Sequence, residues 1–433
     1  MRSLLFIALV ISVSNLFAQT PFTCVQLPPP SIASKFYGQC EPAIAINPIN
    51  PKIMAAGAIL NDYYYSTDGG KNWKSKVLKS PYGVWGDPVM LFDYKGRVYY
   101  FHLSNYKKAT WIDRIICQSA PAVDKPFDEG TFPKPNGTKA QDKHWAAVDP
   151  KNNTLYLTWT QFDKYDSKLA TDSSVILFSK STNQGKNWSE PTRISFYGGD
   201  CEDGDNTVEG AVPVVGPNGE IYVTWTGPRG LVFQCSYDGG NTWLKKEQLI
   251  MPHPGGWVFD IPGMNRANGL PILTCDNSNG PNRGTLYLNW CDQRNGTTDT
   301  DVWVSASKDG GKSWSDPTRV NQDTSKHHQF FTWMAVDQST GYLYFVYYDR
   351  RNHADETTDV FLSVSTDGGQ SFSDVRISDK PFKPREDVFF GDYLNIAAVN
   401  GVIRPIWPRM DDGKITLFVT LIEQNELLKS IAR

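Results

Sequence analysis

The chain has 433 residues, enough for a large buried core, and its 43 Lys and Arg nearly balance 46 Asp and Glu, leaving a net charge of −3. That balance gives no electrostatic reason to expect nucleic acid or an anionic membrane as a partner. Its 14 Trp, 20 Tyr and 22 Phe fall in short runs between 35 Gly and 28 Pro, which points to an all-β protein and away from a helical one.

In chain order, residues 1–18 come first. Arg2 is followed by an apolar run and then Ala18 in MRSLLFIALVISVSNLFAQT, the layout of a secretory signal peptide cleaved after Ala18. A buried apolar strand is the alternative. The expected mature protein is secreted or periplasmic, monomeric, and a single domain over 19–433. No Cys follows the cleavage position, which argues against a lipid anchor. No later run approaches ~18 apolar residues, so no membrane insertion is expected. All seven cysteines (24, 40, 117, 201, 235, 275 and 291) lie beyond Ala18. An oxidising compartment would permit up to three disulfides, whose pairing the sequence leaves open. Their spacings contain no CxxC, so no zinc site is expected.

The next feature recurs five times. STDGGKNW at 66, STNQGKNW at 181, SYDGGNTW at 236, SKDGGKSW at 307 and STDGGQSF at 365 are versions of one turn. Their third positions, Asp68, Asn183, Asp238, Asp309 and Asp367, are separated by 115, 55, 71 and 58 residues. The first gap is about twice most of the others, as if a copy had decayed near Cys117. Each turn is preceded by a hairpin, as in AAVDPKNNTLYLTW (146–159), GAVPVVGPNGEIYVTW (210–225) and MAVDQSTGYLYFVYY (334–348). Less regular hairpins begin near Pro42, Pro88, Pro271 and Leu394, making seven. Two hairpin strands and two strands flanking the turn give four per unit. Seven such units predict a β-propeller of four-stranded antiparallel blades, with six blades as the alternative. KITLFVTL ends the last unit at its third strand, and FTCVQLP (22–28) is the expected fourth, closing the ring.

The turn itself reads Ser-x-Asp-x-Gly-x-(Ser/Thr/Asn)-Trp. A carboxylate two residues after Ser accepts backbone N–H groups of its own turn, glycines supply left-handed angles, and the final ring buries on the order of 150–250 Å². Asn183 keeps the acceptor and lacks the charge, so the turn is expected to be structural. This pattern resembles the Asp box, or BNR repeat, of the sialidase superfamily, in which such boxes are peripheral and structural.

The resemblance implies a glycan-directed protein, a glycosidase if an enzyme, with an active-site Tyr, its Glu partner and an acid/base Asp. Tyr393, in GDYLNIAAVNGVIRPIW, is similar to the nucleophilic Tyr. Glu209, in NTVEGAVPVVGPNGEIYVTW, is similar to its Glu, and Asp62, in GAILNDYYYS, stands where the acid/base Asp is expected. Asp87 and Asp392 are reserve carboxylates. The family's three carboxylate-gripping arginines are not matched. Cys40-Glu41-Pro42 replaces the first, Trp225 and Thr226 stand at the second with Arg229 only nearby, and no Arg lies between Arg2 and Arg97. A Cys cannot form a bidentate fork, so a true exo-sialidase is not expected. The alternative is a non-catalytic propeller binding protein or polysaccharide partners.

Other constellations carry two readings each. Asp292/Arg294, Asp349/Arg351 and Arg409/Asp411 recur at hairpin ends, either offering arginines to an acidic sugar or locking loops of adjacent blades. Repetition favours the lock. The loop GGDCEDGDNTVEG brings Asp200, Glu202, Asp203 and Asp205 together as candidate Ca²⁺ ligands, with a solvated acidic loop as the alternative. His144 and His327-His328 precede innermost strands and more often serve structure than metal. Tyr63, Tyr64 and Tyr65 offer rings for sugar stacking or for packing inward.

Overall fold

The computed structural model describes residues 20–32 and 34–432; the expected signal peptide lies outside the described residues. Alternating side chains divide each strand between two neighbours. In Leu155–Phe162, Leu155, Leu157 and Trp159 pack with Tyr99 and Phe101 of the preceding sheet, while Tyr156 packs with Phe178, Ile221 and Val223 toward the next. A strand buried on both faces needs a sheet on each side. Repeated round a circle, that requirement makes a propeller.

Seven blades form the ring. Blade 1 pairs Ala43–Ile46, Met54–Ala58, Asp62–Ser66 and Lys74–Val77 in order. Blade 2 has three strands, Val89–Phe92, Val98–Leu103 and Ile115–Ala120, with a single Cys117–Thr131 bridge where the fourth would run. This blade has no box, and neither has blade 7. The innermost strands of blades 3 to 7 are Ala140–Val148, Glu209–Val215, Ile272–Cys275, Gln329–Asp337 and Asn395–Val399. Blade 7 takes Thr23–Gln26 as its outer strand, antiparallel to Lys414–Glu423 with Thr23 opposite Leu421. The chain's beginning thus latches onto its end, as the sequence predicts. Between blades 4 and 5 a two-stranded ribbon, Val258–Phe259 with Ala267–Asn268, extends over the hub.

The five boxes share one hydrogen-bond pattern. Ser307 Oγ donates to Asp309 (2.9 Å) and accepts Gly311 N–H (2.8 Å), while Asp309 accepts Ser313 N–H (2.9 Å). Asn183 takes the same two bonds, from Ser181 (3.0 Å) and Asn187 N–H (2.9 Å). Asp309 and Asp238 are drawn down to about 2, chiefly by hydrogen bonds from Ser313 and Thr242. The second box glycine then meets the preceding blade. A Cβ on Gly311 would stand 2.1 Å from Phe233, and one on Gly240 would stand 2.5 Å from Phe178. The boxes clamp blade to blade through close approach. Each sits at the end of a third strand, on the face opposite the start of the innermost strand.

Three sequence expectations are corrected here. Tyr63, Tyr64 and Tyr65 are buried: Tyr63 and Tyr65 stack together toward blade 2, and Tyr64 faces blade 7. None offers a ring to a sugar. The seven cysteines are all free and six of them are buried, four of these on blade strands. The Asp–Arg pairs lock within blades more than between them. Arg294 pairs with Asp292 and lies 4.6 Å from the Trp303 ring; Arg351 pairs with Asp349 and lies 4.3 Å from Phe361. Arg409 repeats this with Asp411 and Phe418. No described helix is long and apolar enough to cross a membrane.

Candidate functional site

Innermost strands begin at one end of the axis, and several begin with a left-handed residue that is not glycine. Glu41 (φ 51°), Asp87 (φ 50°) and Lys143 (φ 44°) open blades 1 to 3, and Asp203 (φ 50°) lies on the loop leading to blade 4. Such angles cost roughly 1–3 kcal/mol each for side chains with a Cβ and persist only where surroundings enforce them. Blade 3 shows the device. Pairing passes from Trp145–Thr158 to Asp142–Thr160, leaving Lys143 and His144 opposite one residue. Blades 4 and 6 carry the same irregularity after Glu209 and Phe330. A bulge of this kind turns a side chain out of the alternating pattern. Here it aims charge at the hub.

The aimed groups meet in one network. Asp392, at the start of blade 7, receives Lys143 Nζ and a two-pronged Arg266 contact, Nε at 2.6 Å and Nη2. Arg266 comes from the ribbon and also reaches Asp203 at 3.4 Å, while Lys143 lies 3.7 Å from Asp87. Tyr165 donates to Asp203 at 2.6 Å, and Glu41 accepts Asp392 N–H at 3.2 Å.

Protonation follows from this arrangement. Burial would raise the Asp392 carboxyl, but Arg266 and Lys143 outweigh it and hold it below the ordinary carboxylate range. Burial would lower the Lys143 ammonium, but Asp392, Asp87 and Glu41 raise it. Asp142 has no cation to itself; burial and then Asp87 push it up to about 8. Glu41 is raised by burial and Asp87, and Glu209 by burial, Asp203 and Asp142. Near neutrality the hub therefore holds protonated and ionised carboxyls side by side.

Above the network lies a cavity of about 150 Å³ whose polar wall is Glu41, Asp87, Asp142, Lys143, Asp203 and Arg266. Its rim is aromatic. Trp85 stands edge-on to Trp111 at 6.1 Å, and Trp111 to Tyr165 at 5.3 Å, with Trp111 two-fifths exposed. Below, Trp145, Trp333 and Tyr393 pack at 4.6–6.0 Å across the axis. The channel ends there, making the site a cup.

The BNR/Asp-box repeat family model matches residues 64–75, the first of the five corners. Among solved structures, the NanB sialidase from Streptococcus pneumoniae aligns with a TM-score of 0.51 at 9% identity, covering 86% of this chain and 83% of that one. A polysaccharide lyase, the ulvan lyase of family PL25, aligns with a TM-score of 0.50 at 12% identity, covering 89% and 94%. No curated protein matches the chain. The chain is an Asp-box propeller with the sialidase-like fold. At these identities the likeness is one of fold alone.

Against the family template, this Asp-box propeller brings some residues together and separates others. Glu209 and Tyr393 approach the network from blades 4 and 7, and both feel the Lys143 charge. Both lie beneath the cup wall, fully buried, with the Tyr393 hydroxyl and both Glu209 oxygens meeting no hydrogen-bond donor. Asp62 is elsewhere. It begins the third strand of blade 1 and accepts Ser31 N–H at 2.9 Å. The reserve carboxylates both lie at the hub, Asp87 in the cavity wall and Asp392 behind it, paired with Lys143. Arg229 lies exposed over the Tyr197 ring at 4.3 Å, outside the cup, and Arg294 and Arg351 are spent within their blades. The acidic loop disperses. Asp200 accepts Thr207, Asp203 accepts Tyr165 and Asp205 accepts Val258 N–H. Among the described residues, no group of three His, Cys, Asp or Glu is arranged to hold a metal ion. Lys143, Arg266, Glu41 and Asp142 escape motif reading.

Proposed function

We propose that this protein binds a glycan in the axial cup and hydrolyses a glycosidic bond, with Asp142 as proton donor. The observation that carries this reading is the split protonation of neighbouring carboxyls in an aromatic-rimmed hub. Asp142, raised to about 8, keeps its proton at neutral pH, while Asp392 is held ionised by two cations. A general acid works best with a pKa near the working pH, and pairs pushed apart in pKa mark acid and base roles. Asp87 and Asp203 share the wall with Asp142 and supply the second carboxyl that hydrolysis requires. Glu209 and Tyr393 lie beneath the wall, where burial and then Asp203 and Asp142 raise the Glu209 carboxyl. Export of the protein to the periplasm or the medium, with residues 1–18 removed as a signal peptide, belongs to the same proposal.

A panel of chromogenic glycosides tests it. Asp142→Asn keeps shape and loses the proton, so turnover should fall by about 10²–10⁴-fold. Substrates whose leaving group needs no protonation should recover much of that loss. Oligosaccharide binding without turnover by the wild type would instead establish a binding propeller.

A further inference from the structure

Both cations of the cup are already spent. Arg266 gives Nε and Nη2 to Asp392 and Nη1 to Asp203, and Lys143 lies between Asp392 and Asp87. Against these two cations stand Asp87 and Asp203 in the wall, with Glu41 and Asp142 beside them raised and holding their protons. Asp392 and Glu209 lie directly behind. Glu209 is wholly buried with its carboxyl set against that of Asp203, and neither of its oxygens nor Asp203 Oδ1 meets a nitrogen donor. Three carboxyls, Asp87, Asp203 and Asp392, share two cations, so the hub is one cation short.

We propose that the cup selects a sugar bearing an ammonium group, of the 2-amino-2-deoxy type, and rejects carboxylated and sulfated sugars; this rests on the glycan reading above. A carboxylate ligand would have to draw Arg266 or Lys143 off Asp392, leaving that buried anion exposed to its acidic neighbours. Rejection is therefore built from repulsion as well as from missing contacts. An ammonium does the reverse. It donates charge-assisted hydrogen bonds to the wall carboxylates Asp87 and Asp203, which with Asp392 share only two cations, and the rings of Trp85, Trp111, Tyr37 and Tyr165 around the cavity favour a cation over an anion. With about 30 Å³ per liquid water, the 150 Å³ cavity admits one compact polar group, not a chain.

Calorimetric titration of the full chain with three oligosaccharide ligands decides the point: glucosamine oligomers, their N-acetylated counterparts and galacturonate oligomers. The expected order is glucosamine tighter than N-acetylglucosamine by about ten-fold or more, with no galacturonate binding in the same range. Asp203→Asn and Glu209→Gln should each reduce that preference. If either variant fails to fold, the wild-type order alone decides. Equal binding of amine and N-acetyl forms, or binding of galacturonate, overturns the charge selection and leaves the glycan reading standing. Failure of all three, and of a wider neutral panel, overturns both.

Discussion

Asp392→Asn removes the anion that Lys143 and Arg266 share. The Lys143 and Asp392 side chains are 5% and 1% exposed, so the stranded ammonium cannot turn to solvent, whereas Arg266 is 30% exposed and can. Removing one partner of a buried pair costs roughly 3–5 kcal/mol. Asp87, 3.7 Å from Lys143, places this case toward the lower end. The unfolding entropy of a chain this long is about 0.9 kcal/mol/K, from ~2.1 cal/mol/K per residue, so the thermal midpoint should drop by about 3–6 °C. Differential scanning calorimetry reads the shift directly. The double variant Lys143→Met with Asp392→Asn should lose less than the sum of its parts, because no buried ammonium remains unpaired. The sign with pH is also fixed. The Asp392 carboxyl is held below its unfolded value, so its contribution is complete above about pH 4 and is lost as pH falls through the lower folded value. The gap between wild type and variant should close on acidification. A midpoint within 1 °C of wild type at pH 7 would refute the buried clamp.

Three further outcomes follow from the same structure. Gly311→Ala combines φ 88° with a Cβ 2.1 Å from Phe233, so it should cost about 4 kcal/mol or more in urea unfolding, whereas Asp309→Asn should be mild because Asn183 fills that role unaided. Asp142 is raised to about 8, so the folded state holds a proton the unfolded state has lost, and wild-type stability should fall as pH rises from about 4 to 8. Asp142→Asn should flatten that decline in melts across the range, and an unchanged slope would disprove the assignment. Trp111→Ala, at an exposed rim position, should shift stability by less than about 0.5 kcal/mol yet weaken oligosaccharide binding in the same titrations.

What repeats in this chain was readable, and what happens once was not. Seven hairpins, a unit lacking its box and a closing strand near 22–28 all reflect a pattern imposed by packing on both faces, and such a pattern survives in one sequence. Asp-x-Arg also repeats, and it too is structural: each Arg covers an aromatic ring of its own blade. The site depends on exceptions. Lys143 and Asp392 are 249 residues apart, and Arg266 and Asp392 are 126 apart, so no local spacing ties them. Two signals nonetheless existed. The 71-residue interval between Asp238 and Asp309, against 55 and 58 nearby, measures the ribbon that delivers Arg266. The residues at the entries of five innermost strands, Glu41, Asp87, Lys143, Glu209 and Asp392, are charged where the repeat asks for no charge. Charge at a position that packing leaves unspecified has to be held by other charge, and on a propeller the place where these five positions converge is the hub. Sequence supplies the inventory of that hub; only the bulges and left-handed residues that turn those side chains inward decide which carboxyls are neutralised and which keep a proton.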